Sequence, residues 1–271
     1  GIHIVSDQLL TGYYTVNPYG GKDILTFKGK NALGTDFYIP FQNDHYFSAN
    51  DINAPEVLNI VATEDETDIT FTPLVNCRNA GGAIYLRGNT YTVTGLKKGQ
   101  TFMLAETTTN SQYSLSGSHI TSTKPVALTI SCFNLSGGPG AGAGDAAGDQ
   151  IVPIDKLGKR YIVVKGFTYG YNNSPRDRIY FTGTEDGTTI TVNYESGGST
   201  TTTTLTADAG QTVLFDMGNN YLSGGSILAY DPKVAYIEAD KPVYCFHHSA
   251  VGREVGAALL PSLYSIGQNK L

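Results

Sequence analysis

One short segment of this chain occurs three times at a nearly constant interval, and this repetition restricts the possible folds more than any other feature. Ile4, Ile120 and Ile237 hold the same place in the three copies, and they are 116 and 117 residues apart. Such spacing is the sequence signature of a repeated supersecondary unit. The sequence therefore predicts two full units and the opening strands of a third copy.

Other motifs follow each copy in the same order. Residues 23–25 correspond to 149–153 and 257–261, Leu33-Gly34 to Leu157-Gly158 and Ile266-Gly267, residues 58–70 to 179–191, and Gly99-Gln100 to Gly210-Gln211. In the copies that contain Lys-Pro-Val, the proline lacks an N–H group, so we expect it to open a strand or to lie on an edge. Each unit thus has the same predicted sequence of strands and turns.

Short stretches that alternate between apolar and polar residues occur along the whole chain. They are rich in Val, Ile, Thr and Tyr, and they include residues 67–72, 90–94, 161–164, 179–182, 188–192 and 212–215. No window of eleven residues keeps a helical spacing, so the sequence predicts an all-β fold. We expect two tandem β-sandwich-like units, 1–117 and 118–271, with the partial third copy at 234–271 completing the second. One closed pseudo-symmetric β body is the alternative.

Composition excludes several classes of partner. The 271 residues are 40% hydrophobic and carry a net charge of −6, and their densest cationic run is Lys97-Lys98. A chain without a basic patch is not expected to bind nucleic acid or an anionic membrane surface. The longest apolar runs, such as 126–130, are far shorter than the roughly 20 residues of a membrane-spanning helix. We expect a soluble chain, and its start inside a strand-like alternation favours a processed or excised piece.

The three cysteines are Cys77, Cys132 and Cys245. An odd number cannot all pair within the chain, and the spacings match no zinc motif. Cys132 ends an apolar alternation whose members, Val126, Leu128 and Ile130, share one face that we expect to be core. Buried free thiols are therefore favoured over a disulfide for Cys132 and Cys245.

The motifs I-x-[S/A]-x-K-P-V, D-Q-I-V-P, L-G-x-x-Y and T-E-D-x-T-x-I-T occur in this order over residues 2–267. In this respect the chain resembles the domain at the N-terminus of the mucosal IgG Fc-binding protein and its bacterial, Bacteroidetes-type relatives. The resemblance implies a secreted or cell-surface, non-enzymatic adhesion module without a cofactor. Fc binding itself does not follow, because no residue set transfers it. The first unit departs from the pattern with Gln8-Leu9 in place of Lys-Pro.

The best candidate for ligand binding is the loop over residues 168–178. It combines aromatic rings, amides and guanidinium groups that can stack on sugars and bind hydroxyls or carboxylates. The candidate residues are Tyr169, Tyr171, Asn172, Asn173, Arg176 and Arg178. The alternative is an ordinary exposed loop that ends in an Asp-Arg pair.

Metal and catalytic motifs are weak. His247 and His248 are adjacent in a predicted strand, so their rings point to opposite faces and cannot share a metal without a bulge. The acidic residues of one predicted turn could bind calcium, although turn geometry alone explains them: Glu64, Asp65, Glu66 and Asp68. No Walker loop, H-E-x-x-H or G-x-S-x-G motif is present. We therefore expect no enzyme, with calcium the one cofactor left open.

Three functions are compatible with these observations. The first is an extracellular binding or adhesion module that recognises a glycoprotein or glycan on a surface. The second is a structural subunit of an extracellular assembly, because strands near the chain ends are suited to pair with a neighbouring chain or domain. The third is a carbohydrate-active enzyme, which needs two carboxylates across a cleft.

Overall fold

The structure is a computed structural model, which describes residues 4–8, 10–16, 23–43, 55–107, 114–135, 145–165, 176–196, 198–219, 234–251 and 254–263. Within these ranges the regular elements are β-strands, apart from two short 3-10 helices, Gly29–Ala32 and Ile154–Lys156. This confirms the predicted all-β class. No helix in the described part of the chain has the length and hydropathy to cross a membrane.

The first part of the chain contains a hairpin and a nine-stranded sheet. The hairpin pairs β1 (Tyr13–Val16) with β2 (Asp23–Thr26). The sheet comprises β3 (Gly34–Tyr38), β4 (Glu56–Ala62), β5 (Thr67–Thr72), β6 (Cys77–Arg78), β7 (Ile84–Tyr85), β8 (Tyr91–Leu96), β9 (Thr101–Glu106), β10 (His119–Leu135) and β11 (Asp145–Ile151). Strand β10 holds the sheet together, because its first residues pair with β3 and β5 and its later residues with β4 and β11.

The second part consists of two four-stranded antiparallel sheets. Its strands are β12 (Arg160–Val164), β13 (Arg176–Gly183), β14 (Thr188–Ser196), β15 (Ser199–Ala207), β16 (Thr212–Asn219), β17 (Val234–Ala239), β18 (Val243–Val251) and β19 (Glu254–Leu259). Their orders are β12-β17-β14-β15 and β16-β13-β18-β19.

Pro242 precedes β18, whereas β10 continues through Pro125, where its pairing with β3 shifts register. Proline has no N–H group for the ladder, which explains the interruption at both positions.

Both parts pair their strands in the same register, at the spacing of the sequence motifs. Val126 faces Ala62 as Val243 faces Gly183, Ile120 faces Phe71 as Ile237 faces Val192, and Phe37 faces Ile120 as Tyr161 faces Ile237. The turn motifs also make the same hydrogen bonds. Asp65 Oδ1 accepts the Lys98 N–H at 2.9 Å, and Asp186 Oδ1 accepts the Ala209 N–H at 3.1 Å. The number of repeat units stays a prediction.

The sheet of β16, β13, β18 and β19 is a middle layer with both faces buried. In β13 and β18 the side chains at odd-numbered positions, Ile179, Phe181, Val243 and Cys245, enter a hydrophobic cluster shared with β12, β14 and β17. Those at even-numbered positions, Tyr180, Tyr244 and Phe246, enter a second cluster shared with the nine-stranded sheet. The predicted core face of Val126, Leu128, Ile130 and Cys132 is confirmed within the second cluster. Cys77, Cys132 and Cys245 form no disulfide and are buried, as we expected for the last two.

The two parts meet closely at a pair of glycines. A Cβ atom on Gly117 would lie 1.9 Å from the Gly210 carbonyl oxygen, and both glycines have positive φ angles. The boundary that we predicted at 117/118 is adjacent to this contact, and β10, which follows it, pairs with β3, β4 and β5. The domain limits themselves stay a prediction.

Candidate functional site

A cleft of about 670 Å³ opens where three distant segments of the chain meet. Its polar lining consists of Thr26, Lys28, Asn31, Asp149, Lys156 and Ser262, and its apolar lining includes Phe27, Val152, Leu157, Tyr161, Leu260 and Pro261. Concave sites with apolar walls and a few fixed polar groups are the usual form of ligand-binding sites. This cleft is therefore the candidate functional site.

Hydrogen bonds between β2, β11 and β19 bring the three segments together. Asp23 at the start of β2 accepts the Gly148 N–H through Oδ2 at 2.9 Å. Asp149 in β11 accepts the Leu259 N–H through Oδ2 at 2.7 Å. The Lys28 N–H donates to Gln150 Oε1 at 2.6 Å. Side chains of β11 thus link the strands on both sides and define the floor of the cleft.

An ion pair lies in this floor. Lys28 Nζ is 2.6 Å from Asp149 Oδ1, and the two side chains are only 18% and 7% exposed. Burial lowers the pKa of Lys28, and the neighbouring Asp149 carboxylate opposes this shift. A partly desolvated pair presents a fixed cation and a fixed anion to a ligand at a lower effective dielectric than water. At the rim, Lys156 pairs with Asp155 at 2.7 Å.

Aromatic residues form part of the walls. Phe27 is 42% exposed, and its ring stacks on Tyr14 with a centroid distance of 5.6 Å. Tyr161 is buried, and its hydroxyl donates to the Val243 carbonyl at 2.6 Å. Burial raises the pKa of Tyr161, so the hydroxyl stays a donor. Phe27 is therefore the aromatic surface that a ligand can reach, whereas Tyr161 supports the wall from within.

A second cluster of titratable groups is enclosed in the first part of the chain. Glu56 and Glu106 are both buried, and the Glu56 N–H donates to Glu106 Oε1 at 3.1 Å. Glu56 accepts hydrogen bonds from Gln42 Nε2, Ser114 Oγ and the Leu115 N–H at 2.8–2.9 Å. Burial, followed by the charge of Glu56, raises the pKa of Glu106 to about 9. Both carboxyl groups are buried, whereas glycoside hydrolysis requires two carboxylates that a sugar can reach across a cleft.

Most of the predicted binding loop lies outside the described residues, namely Tyr169, Tyr171, Asn172 and Asn173. Arg176 begins β13, where it faces Asn219. The Arg178 side chain is 3% exposed, and its Nη1 atom is 3.5 Å from the Tyr180 hydroxyl. The structure therefore places Arg178 inside the protein, and the role of the loop stays a prediction.

The acidic residues of the first turn have contacts within the protein. Glu66 Oε1 binds Lys97 Nζ at 2.8 Å, and Asp68 Oδ1 accepts the Gly95 N–H at 2.8 Å. Asp65, which belongs to the same turn as Glu66, accepts a hydrogen bond from the Lys98 N–H. The Glu64 carbonyl accepts a hydrogen bond from the Thr67 hydroxyl. These contacts fit the turn interpretation. No group of three or more metal-binding side chains is arranged for a metal ion among the residues described.

The two adjacent histidines contact different groups. His247 Nε2 lies 2.7 Å from Asp177 Oδ1. His248 is buried, with its ring 6.2 Å from that of Tyr180. Burial, assisted by Arg178, lowers the pKa of His248 to about 3. The rings thus belong to separate environments, as the strand geometry predicted.

The residues of the cleft were not predicted as a site. Residues 149–153 and 257–261 were recognised as recurring motifs, but only as structural landmarks. Phe27, Lys28 and Asn31 follow the corresponding motif of the first unit. The sequence signal that points to the cleft is therefore the threefold recurrence of this motif. The strands that contain it, β2, β11 and β19, lie side by side at the cleft.

Comparison with known proteins identifies the family. No curated protein sequence matches the chain. Among solved structures, red sea bream transglutaminase is similar at 8% identity and a TM-score of 0.15, over 94% of this chain and 32% of that one. The chain spans about a third of that enzyme, and so low a score carries no functional argument. The family model described as IgGFc binding protein matches residues 25–266. This chain therefore belongs to the IgGFc-binding protein family.

Proposed function

We propose that the chain is an extracellular, non-enzymatic binding module that holds a protein or glycoprotein ligand in the cleft between β2, β11 and β19. The observation that carries the proposal is the cleft itself, with its apolar walls and buried Lys28–Asp149 pair. The name of the family adds support for a protein ligand. Adhesion at a cell surface is the biological role that such a module serves.

Each part of the cleft has a function in this proposal. The exposed Phe27 ring packs against an apolar or sugar surface of the ligand, as aromatic residues do at binding hot spots. Lys28 and Asp149 orient a polar group of the ligand, since their contact at 2.6 Å and the Leu259 N–H bound to Asp149 hold the two charges in place. The Asn31 amide at the rim supplies both a donor and an acceptor.

Capture from a natural mixture tests the function. The purified chain is immobilised and exposed to mucosal secretion that contains immunoglobulin and mucin, and a denatured chain serves as the control. Purified IgG Fc and Fab fragments are then tested separately. We expect specific capture of a glycoprotein by the folded chain. Equal capture by the folded and denatured chains would contradict a binding module.

A pair of matched variants tests the site. Phe27 and Leu86 are both large, apolar and exposed, but only Phe27 lines the cleft. We expect Phe27→Ser to weaken ligand binding at least tenfold, a loss of about 1.4 kcal/mol or more. Leu86→Ser should leave the affinity unchanged. Phe27→Leu, which keeps an apolar contact with Tyr14, should fall between the two. Equal affinities for all three variants would remove the cleft from the proposal.

Two alternatives have direct tests. A carbohydrate-active enzyme would release sugars from mucin glycans, and mutation of one carboxylate would abolish that release. A structural assembly subunit would self-associate at micromolar concentration, which sedimentation velocity measures. We expect neither hydrolysis nor self-association from this chain.

A further inference from the structure

The hairpin strand β1 and the segment before it expose apolar side chains. Ile4, Val5, Leu10 and Tyr13 are 62%, 79%, 58% and 66% exposed. Within the described residues β1 pairs only with β2, so its other edge carries open N–H and C=O groups. Exposed apolar edges of this kind are templates for pairing with another strand, and folded proteins usually cover them. The hairpin therefore has a surface that no other strand covers among the described residues.

The strand pairing of the hairpin shows which part of the nine-stranded sheet the hairpin corresponds to. Tyr14 faces Leu25, and Ile130 faces Asp149. Ile130 follows Tyr14 by 116 residues, the interval between Ile4 and Ile120. Asp149 follows Leu25 by 124 residues, the interval between Gly34 and Gly158, so the strand pairing makes Asp149 equivalent to Leu25 and moves the sequence match with Asp23 by two residues. Strands β1 and β2 thus pair as the later half of β10 pairs with β11.

In both corresponding places another strand covers the edge. Strand β10 pairs on its other side with β4, and Val126 faces Ala62 there. Strand β18 pairs on its other side with β13, and Val243 faces Gly183. Val126 and Val243 are fully buried, whereas the corresponding Leu10 is 58% exposed. The same comparison holds for Ile120 and Ile237, which are buried, and Ile4, which is exposed.

We propose that the open edge of β1 pairs antiparallel with a β4-type strand of one further unit of this kind. Two observed interfaces identify the partner strand. Strand β4 pairs with β10, and the corresponding strand β13 pairs with β18 in the same register, so we expect a strand of the β4 type beside β1. Residues 10–16 then serve as the closing strand of that unit, in the way that residues 126–132 close the first. This interaction goes beyond the binding function of the cleft and does not depend on it.

A fusion tests the proposal with the complete chain. A second copy of residues 34–116 is placed directly before Gly1, so that Gly1 takes the position of Gly117 and Ile4 that of Ile120. We expect amide hydrogen exchange across residues 10–16 to slow at least tenfold relative to the chain alone. As a control, Asn59→Pro in the added copy removes an N–H donor of β4 on the side of the closing strand, at an exposed side chain, and the protection should be lost. Exchange as fast in the fusion as in the chain alone would overturn the proposal.

A peptide keeps the test decisive if the fusion does not fold. The peptide contains residues 55–63, which include all of β4, and a scrambled peptide of the same composition is the control. We expect the β4 peptide, and not the scrambled one, to protect residues 10–16 of the full chain. Failure of the peptide together with an unfolded fusion would overturn the proposal. Concentration-dependent protection of residues 10–16 in the chain alone would also overturn it, because a second copy of the whole chain would then be the occupant.

Discussion

Glu106 is a carboxyl group that burial keeps protonated at neutral pH. Its pKa is raised from 4.5 to about 9 in the folded protein, so the folded state holds a proton that the unfolded state has released. Stability from this group is therefore fully present below about pH 4.5 and is lost as pH rises towards 9. Its partner Glu56 has a different role, because three donors point at that carboxylate.

We expect Glu106→Gln to raise the free energy of unfolding at pH 8 by about 1–3 kcal/mol, because the amide is neutral at every pH. The gain should shrink as pH falls towards 4.5, as urea titrations at several pH values can measure. Glu56→Gln is the matched control. It should destabilise the protein across the range, since the amide NH₂ group cannot accept the hydrogen bonds from Ser114 and Leu115. An unchanged alkaline slope in Glu106→Gln would contradict the assignment.

His248 has the opposite dependence. Its pKa falls from 6.5 to about 3 in the folded state, and neither ring nitrogen has a hydrogen-bond partner among the described residues. The unfolded chain binds a proton below pH 6.5 that the folded chain does not, so stability is present above pH 6.5 and is lost as pH falls towards 3.

Between pH 6.5 and pH 5 we expect the parent protein to lose about 1–2 kcal/mol more stability than His248→Phe. The reason is that the phenyl ring of the variant carries no charge in either the folded or the unfolded state. At pH 8 the variant and the parent should differ by less than about 1.5 kcal/mol, the usual range for a change of similar volume. Thermal unfolding at pH 8, 6.5 and 5 measures both quantities. Parallel pH profiles of the two proteins would disprove this role of His248.

At the scale of elements, turn chemistry recurs with the strands. Asp65 and Asp186 each cap one N–H group in corresponding turns of the two parts. We expect Asp65→Ala and Asp186→Ala each to cost about 1 kcal/mol of stability, and the double variant about 2 kcal/mol, because distant sites are additive. Glu64→Ala should cost less than about 0.5 kcal/mol, since it keeps the carbonyl that binds Thr67. If Asp65→Ala and Asp186→Ala lower the free energy of unfolding by different amounts, the two turns are not equivalent.

The strands could be predicted better than the layers. Alternation over Val126, Leu128 and Ile130 correctly identified a core face, because β10 buries that face as predicted. The same rule described only half of β18. Residues 243–246 are apolar without interruption, which is typical of a strand buried on both sides. The second buried face depends on the nine-stranded sheet that packs against it, and a local pattern contains no information on that contact.

At the scale of the whole molecule, the contact between Gly117 and Gly210 tests how tightly the two parts pack. Gly99 has nearly the same backbone conformation, with φ of 78° against 81° for Gly117, but nothing lies within 4 Å of its Cβ position. We expect Gly99→Ala to cost about 1 kcal/mol for backbone strain alone. Gly117→Ala should cost at least about 2 kcal/mol more, because its methyl group meets the Gly210 carbonyl. Chemical denaturation measures both, and equal costs would show that the contact is loose.

The cleft also belongs to this scale, and this explains why it was not predicted. Its lining comes from residues 26–31, 149–161 and 258–262, and the gaps between these segments are 118 and 97 residues in sequence. Motif recurrence identified these segments as equivalent. It did not predict that they lie side by side or that Lys28 and Asp149 pair between them, because both results depend on how one unit stacks on the next.

The middle layer of β13, β16, β18 and β19 has a mechanical consequence. Both of its faces are covered by apolar contacts, one towards each neighbouring sheet. Peeling away either neighbour exposes a whole face of this layer to water, so separating the layers has a high cost in free energy. We therefore expect the three packed layers to keep their length under load and to rupture in a single step, after the exposed β1–β2 hairpin has yielded.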